Sequence, residues 1–178
     1  APRWSYPRKD DPLDFTNLPV PTMDSTRHTA LVGYLHDPRS ELDKGYPVLM
    51  VGGPGTAKTS TAMMFFAGFD PSRRLLKRIN FSSATTPHIF QQSVEASLDK
   101  RGGRSFGPPS GKKMTVFLDD LSMPEINQWG DQPCNEIVRQ LIETSGMYFR
   151  DRERRGDLKL CEDLSFVGAM NHPGGGRN

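Results

Sequence analysis

The sequence contains few cysteines and no long apolar run, and both absences exclude classes of protein. Cys134 and Cys161 are the only cysteines. Two thiols are too few for a disulfide framework and lack the spacing of a metal site, so they fit a reducing compartment. No apolar stretch approaches the roughly 20 residues of a membrane span, and no signal peptide opens the chain. We therefore expect an intracellular, soluble protein without a membrane partner.

The chain also lacks an excess of charge. Its 23 Lys and Arg residues nearly balance 21 Asp and Glu residues, which leaves a net charge of +2. This balance creates no broad field that would attract nucleic acid or an anionic membrane. Hydrophobic residues make up only 35% of the chain, and its mean hydropathy is -0.59. A chain of 178 residues is about one domain long, so we expect that part of it is loop or contacts a larger assembly.

The histidines show no pattern of a metal or catalytic site. They are scattered along the chain, without ligand spacing and without a partnering nucleophile. A structural or surface role is therefore favoured for each of them: His28, His36, His88 and His172.

The chain divides at about residue 45 into two parts. Residues 1–45 are rich in Pro, Asp and Arg, and we interpret them as a wrapping segment in which only 25–35 could form a helix. Residues 46–178 alternate short apolar runs with helical stretches, which is typical of βαβ units around a parallel sheet. The fold class is therefore α/β. The predicted strands lie near 47–51, 78–82, 114–119 and 164–170.

Helices are predicted between these strands, over 58–67, 87–101 and 135–144. In the second helix, Phe90, Val94 and Leu98 are spaced four apart on one face, with Thr86 as N-cap. Two exposed connections are predicted, at 107–111 and at 150–157.

A phosphate-binding loop directly follows the first strand. It consists of Gly52, Gly53, Pro54, Gly55, Thr56, Ala57, Lys58 and Thr59, and Ser60 continues it into the helix. Such a loop directs backbone N–H groups at a polyphosphate, while Lys58 supplies a point charge and Thr59 a hydroxyl for Mg²⁺. Ala57 stands where glycine is usual, and its methyl leaves the backbone less freedom. The loop predicts ATP or ADP binding with Mg²⁺.

Two acids end the most hydrophobic strand, as a nucleotide site requires. The carboxyl end of a parallel strand lies beside the phosphate loop, so Asp119 is predicted to hold Mg²⁺ directly or through water. Asp120 is then positioned to orient and deprotonate the attacking water. Many such ATPases carry glutamate there, and aspartate is one methylene shorter. Because a shift of about 1 Å can cost on the order of 100-fold in rate, we expect slow hydrolysis.

Two asparagines are further candidates for the site. Asn171 follows the last predicted strand, and its amide could contact both the γ-phosphate and the attacking water. Asn80 interrupts the second strand and could hydrogen-bond Asp120, holding it away from water until the site is assembled. Either asparagine could instead be an ordinary turn or strand-end residue.

With these motifs, the chain resembles the axonemal dynein heavy chains, specifically the large subdomain of their third AAA+ module. Besides the phosphate loop, the resemblance runs through LPVPTMDSTR at 18–27, NFSSATT at 80–86, FGPPSGKKMTVF at 106–117, DDLSMP at 119–124, INQWGDQ at 126–132, NEIVRQ at 135–140 and HPGGGRN at 172–178. Generic phosphate-loop proteins do not share the later segments, so the resemblance covers nearly the whole chain.

The resemblance implies a role in a motor whose ring of covalently linked AAA+ modules converts ATP turnover into movement on microtubules in cilia or flagella. The first module of such a ring carries the main ATPase, and the third acts as a regulatory switch that gates microtubule release. Val20 and its neighbours would line the adenine pocket, the segment 125–132 would face other modules, and Asn171 would be the polar sensor. Ala57 and Asp120 are compatible with this slower role.

The partners implied are the neighbouring AAA+ modules, dynein intermediate and light chains through the full-length motor, and microtubules only indirectly. A large subdomain of this kind also needs a further strand beside the first, a small helical subdomain and an arginine from the next module. None of these follows residue 178, so the chain is expected to be a fragment with an unpaired sheet edge and marginal stability.

Two alternatives stay open. One is a binding-only module, in which nucleotide is a structural ligand and Asp120 never activates water. The other is an unrelated phosphate-loop NTPase acting on nucleic acid, against which the near-neutral charge argues.

Overall fold

The computed structural model describes residues 19–36, 45–150 and 152–172, which form a parallel sheet flanked by helices and a second, smaller sheet. The first helix, α1 (Met23–His36), precedes strand β1 (Val48–Val51) and helix α2 (Lys58–Phe66). Most of the predicted wrapping segment lies outside the described residues, so that assignment stays a prediction.

The remaining elements follow in chain order. They are β2 (Arg74–Asn80), α3 (Pro87–Glu95), β3 (Asp99–Gly102), β4 (Ser105–Gly107), β5 (Lys113–Asp119), α4 (Pro133–Thr144), β6 (Gly146–Tyr148), β7 (Leu158–Cys161) and β8 (Leu164–Met170), with short 3₁₀ turns at Pro109–Gly111 and Arg152–Arg154.

The main sheet confirms the predicted α/β class. Its strands lie in the order β1-β8-β5-β2, and all neighbouring pairs are parallel. In this register Asn80 lies opposite Asp119, and Val51 lies opposite Met170. The carboxyl ends of all four strands therefore meet at one edge, where the phosphate loop leaves β1.

Two apolar clusters hold the helices to this sheet. On one face, α3 and α4 cover a cluster that includes Phe90, Val94 and Leu118. On the other face, Ala62 and Phe66 of α2 pack on Phe117, Val167 and Ala169. Burying the interior on both faces explains why β5 is apolar along nearly its whole length.

His36 has a structural role, as predicted from the isolation of the histidines. It is buried at the end of α1, and its Nε2 lies 3.0 Å from Thr115 Oγ1 and 3.2 Å from Ser165 Oγ. These hydrogen bonds anchor α1 to the α2 side of the main sheet.

The small sheet was not predicted from the sequence. Its order is β3-β4-β7-β6, and it pairs Ser105 of β4 with Leu160 of β7, which are far apart in the sequence. An ion pair between Arg101 and Asp163 also connects β3 to the residue that precedes β8. Lys159 Nζ lies over the rings of Phe106 and Phe149, at 4.9 and 4.8 Å from their centroids. It also forms a 2.9 Å ion pair with Glu95, which connects this sheet to α3.

The helix predicted over 87–101 is wrong beyond Glu95. Its start is as expected, since Thr86 caps it by accepting a hydrogen bond from the Ile89 N–H at 3.3 Å. The chain then turns and enters β3, which pairs antiparallel with β4 across Gly103, a residue with φ of +54°. Pairing of β3 with β4 provides backbone hydrogen bonds in place of those of a longer helix, and β4 in turn pairs with β7.

Smaller boundary predictions also differ from the structure. Strand β2 begins four residues before the predicted position 78, because Leu75 and its neighbours pair with the start of β5. Helix α4 begins at Pro133, whose ring suits a first helical turn. In the predicted exposed connection at 107–111, Gly107 and Pro108 are buried and only the following turn is exposed. None of the described helices is long and apolar enough to span a membrane.

Candidate functional site

The phosphate loop has the backbone geometry of an anion cradle. Gly55 has φ of +74°, and a Cβ placed on Gly52 would lie 2.9 Å from Thr56 Oγ1, so glycine suits both positions. Ala57 is the N-cap of α2 and lies in the left-handed region, with φ 58° and ψ 27°. Glycine adopts this conformation without cost, whereas alanine does not. The loop therefore forms with alanine, but with a strained residue at the helix start.

Lys58 is hydrogen-bonded to the phosphate loop and to Asn171, which follows β8. Its Nζ donates hydrogen bonds to the carbonyl oxygens of Gly52 and Gly53, at 2.8 and 2.7 Å, and to Asn171 Oδ1 at 3.2 Å. The Gly52 N–H in turn donates to the Met170 carbonyl oxygen, at 3.2 Å. The structure thus brings Lys58 and Asn171 together although they are 113 residues apart.

Thr59 and Asp119, the residues predicted to hold Mg²⁺, are in contact. The Thr59 hydroxyl lies 2.9 Å from Asp119 Oδ1 and 3.1 Å from Oδ2. Asp119 is 6% exposed and stands at the carboxyl end of β5. A hydroxyl and a carboxylate are hard oxygen ligands, which Mg²⁺ prefers together with phosphate oxygens and water. These residues fit the ion that the phosphate loop predicts.

Arg78 is a member of this site that the sequence reasoning missed. Its Nη2 donates to Asp119 Oδ2 at 2.8 Å, and its Nε donates to Asn80 Oδ1 at 2.9 Å. The sequence did contain a signal, because residues two apart on a strand share a face. Arg78 therefore accompanies Asn80, which lies opposite Asp119 in the neighbouring strand.

The side-chain oxygen of Asn80 accepts a hydrogen bond from Arg78. Its predicted bond to Asp120 is not among the hydrogen bonds of the described residues and stays a prediction. Asp120 itself is exposed and has φ of +57°, and its carbonyl oxygen accepts from the Met123 N–H at 2.9 Å. This turn directs the chain away from the sheet directly after Asp119.

The remaining predicted binding residues surround the loop or lie at the start of α1. Ser60 is exposed in the first turn of α2. Val20 is 66% exposed and lies just before α1, the helix that packs beside α2. Their predicted contacts with nucleotide stay predictions.

The whole arrangement combines groups that favour an anion with groups that favour a cation. The N-terminus of α2 and Lys58 favour an anion, whereas Asp119 and Thr59 favour a divalent cation. A polyphosphate bound with Mg²⁺ satisfies both requirements at once. The site is therefore suited to a nucleoside triphosphate and to phosphoryl chemistry.

Comparison with known proteins agrees with this geometry. The sequence profile of the family described as P-loop containing dynein motor region matches residues 7–178. The chain is 49% identical over 178 residues to the Dynein gamma chain, flagellar outer arm, of Chlamydomonas reinhardtii. It is 46% identical over 178 residues to Dynein axonemal heavy chain 5 of Mus musculus, and 45% identical over 175 residues to Dynein axonemal heavy chain 8 of Homo sapiens.

These matches cover 98 to 100% of this chain but only 4% of the length of each relative. The matched family profile covers nearly the whole chain, including the phosphate loop and the acidic end of β5. The chain therefore belongs to the P-loop containing dynein motor region family.

Proposed function

We propose that this chain is an ATP-binding, slowly hydrolysing regulatory AAA+ module of a dynein heavy chain. The observation that carries the proposal is the contact between Thr59 and Asp119, at 2.9 and 3.1 Å, beside Lys58 on the phosphate loop. Membership of a P-loop family implies nucleotide binding, generally with Mg²⁺. The contact supports the assignment of these residues to the metal and phosphate side of that site.

In this proposal the loop and Lys58 bind the β- and γ-phosphates of ATP. Lys58 exchanges its hydrogen bonds to the loop carbonyls for phosphate oxygens, which are stronger acceptors because they are charged. Thr59 and Asp119 hold Mg²⁺, which when bound neutralises charge that develops on the phosphates. Val20 and Ser60 complete the nucleotide contacts.

Hydrolysis in this proposal depends on the positions of Asp120 and Asn171, with Asn80 as the hydrogen-bond partner of Asp120. Asp120 orients the attacking water and accepts its proton, and Asn171 contacts the γ-phosphate while its Oδ1 is bonded to Lys58 at 3.2 Å. Asp120 is shorter than the usual glutamate and lies in a left-handed turn. Catalysis of phosphoryl transfer is mostly positioning, so these features favour slow turnover.

The names of the relatives support a place for this module in a ciliary or flagellar motor. They are a flagellar outer-arm chain and axonemal heavy chains. We assign the chain to the third module of the motor ring, where it contacts neighbouring AAA+ modules of the same heavy chain. Intermediate chains, light chains and microtubules are then partners of the full-length motor, and the module contributes indirectly to ATP-driven movement on microtubules.

The test is to incubate the protein with Mg-ATP, remove free nucleotide and identify what is retained by chromatography. We expect ADP in the wild type and no nucleotide in Lys58→Ala. Lys112→Ala is the matched control, because the Lys112 ammonium donates to the Pro71 carbonyl oxygen, at 2.9 Å, far along the chain from the loop. Absence of retained nucleotide from folded wild-type protein would contradict the proposal.

A binding-only module is the second candidate, and the exposure of Asp120 favours it. In that case ATP is retained unchanged, and Asp120→Asn has no effect on its fate. If hydrolysis occurs, Asp120→Asn should instead convert the retained ADP into retained ATP. An NTPase that acts on nucleic acid would be supported only by single-stranded DNA binding that falls steeply with salt.

A further inference from the structure

Arg78 introduces a positive charge at the place where a metal ion is expected. Its Nη2 lies 2.8 Å from Asp119 Oδ2, and Asp119 Oδ1 and Oδ2 also accept from Thr59. The Asp119 side chain is only 8% exposed. A buried carboxylate is costly unless a cation accompanies it, and the Arg78 guanidinium is the cation that contacts Asp119 here.

The guanidinium is held in this position by two further contacts. Its Nε donates to Asn80 Oδ1 at 2.9 Å, and its guanidinium carbon lies 5.9 Å from the centroid of Phe117. Its side chain is nevertheless 41% exposed. The Arg78 side chain therefore borders solvent, and it can leave Asp119 without crossing the packed interior.

The electrostatic consequence is a competition between two cations for one carboxylate. When Arg78 bonds to Asp119, that carboxylate has less net charge to offer Mg²⁺, and affinity of an oxygen site for a divalent cation rises with its negative charge. The same arginine reduces the repulsion between Asp119 and the phosphates when no Mg²⁺ is bound. Both effects reduce the difference between the affinity for ATP with Mg²⁺ and the affinity for ATP without it.

We propose that Arg78 sets the magnesium dependence of nucleotide binding by acting as a built-in counter-ion of Asp119. This inference rests on the proposed function, since it takes Thr59 and Asp119 as the magnesium site. Arg78 is a positioning residue that acts through Asp119, and Asn80 acts one step further out by holding Arg78. With Arg78 in place, the module retains nucleotide over a wider range of Mg²⁺ concentration than it would without it.

The test compares the affinity for a fluorescent ATP analogue in EDTA with the affinity in saturating Mg²⁺, by fluorescence anisotropy. The measured quantity is the dissociation constant in EDTA divided by the dissociation constant in Mg²⁺. In Arg78→Gln this ratio should rise about ten-fold over the wild type, equivalent to about 1.4 kcal/mol. Binding in EDTA weakens because Asp119 repels the phosphates, and binding in Mg²⁺ strengthens because Asp119 is free for the ion.

Three variants serve as controls and alternatives. Arg78→Met keeps the aliphatic packing on Phe117 and tests the same point if Arg78→Gln fails to fold. Arg78→Lys keeps the charge, so its ratio should stay within about two-fold of the wild type. Arg73→Gln also removes one positive charge, but from an 85% exposed side chain before β2, and should not change the ratio.

The outcomes separate the inference from the proposed function. A raised ratio in Arg78→Gln or Arg78→Met, with none in Arg73→Gln, supports the inference. An unchanged ratio, even if both affinities fall together, means that Arg78 is merely structural and overturns it. A lowered ratio also overturns it, because Arg78 would then help Asp119 to bind the metal. If the wild type does not bind the analogue in either buffer, the proposed function fails and the inference fails with it.

Discussion

Replacing Ala57 with glycine should stabilise this protein, although glycine at a helix terminus usually brings little gain. Ala57 is the N-cap of α2, with φ 58° and ψ 27°. In this left-handed conformation the Cβ of an L-residue crowds the following carbonyl oxygen, at a cost of about 1–2 kcal/mol. Glycine has no Cβ and avoids the cost. The side chain of Ala57 makes no capping hydrogen bond that the change would remove.

The expected net effect is smaller than the strain itself. Glycine gains more conformational freedom than alanine in the unfolded chain, which offsets about 0.4–1 kcal/mol. We therefore expect a net stabilisation of about 0.5–1 kcal/mol. For a domain of this size that corresponds to a rise in Tm of roughly 1–4 °C.

Thermal unfolding by circular dichroism, without nucleotide, measures the effect, since bound ligand would itself raise Tm. Ala67→Gly is the matched control. Ala67 is also exposed, but its φ of -59° is helical, and its N–H donates to the Met63 carbonyl oxygen. The same substitution should there destabilise by about 0.5–1 kcal/mol. If Ala57→Gly destabilises the protein as Ala67→Gly does, the reasoning about strain in the phosphate loop is refuted.

Two further predictions concern buried groups outside the site. Burial opposes ionisation of Glu95, but hydrogen bonds from Gln91 and Lys159 outweigh it and hold the pKa of its carboxyl below the ordinary value. The resulting stability is present at neutral pH and is lost as pH falls through the lowered pKa. In urea unfolding, Glu95→Gln should therefore cost about 1–3 kcal/mol at pH 7 and progressively less as pH falls through that lowered pKa, whereas Glu143→Gln in an exposed pair should cost under about 0.5 kcal/mol. A pH-independent difference would contradict the role of the ion pair. Burial raises the pKa of the Cys161 thiol to about 11. Iodoacetamide at pH 8 should therefore modify it slowly in native protein and rapidly in urea, as followed by mass spectrometry, and fast native modification would contradict its burial.

Much of the main sheet could be predicted because its determinants are local. Strands β1, β5 and β8 are short, largely apolar runs, and β5 ends at Asp119, which contacts Thr59. Helix α3 shows the limit of this reasoning. The spacing of Phe90, Val94 and Leu98 predicts a helix through residue 101, and Leu98 does pack against the same apolar cluster. Periodicity describes which side chains are buried, but not which partner the backbone after Glu95 will bond.

The candidate site likewise contains residues that could be predicted from local sequence and one that could not. Lys58, Thr59 and Asp119 could be predicted because the loop spacing and the strand end place them together in any parallel sheet of this kind. The spacing of Arg78 and Asn80 on one strand was a signal but did not suffice to single out Arg78, because its contact with Asp119 depends on the register that sets Asn80 opposite Asp119. That register arises from pairing between β2 and β5, which are far apart in the sequence.

The amino-acid sequence by itself determined the α/β class, the phosphate loop and the position of its acidic partner, because these follow from residues that are adjacent in the chain. Only the tertiary structure decided the small sheet, the burial of His36 and the ion pair between Arg78 and Asp119. Each of these joins segments that have no local preference for one another. Their pairing is selected when the whole chain satisfies its backbone hydrogen bonds and buries its apolar surface at the same time.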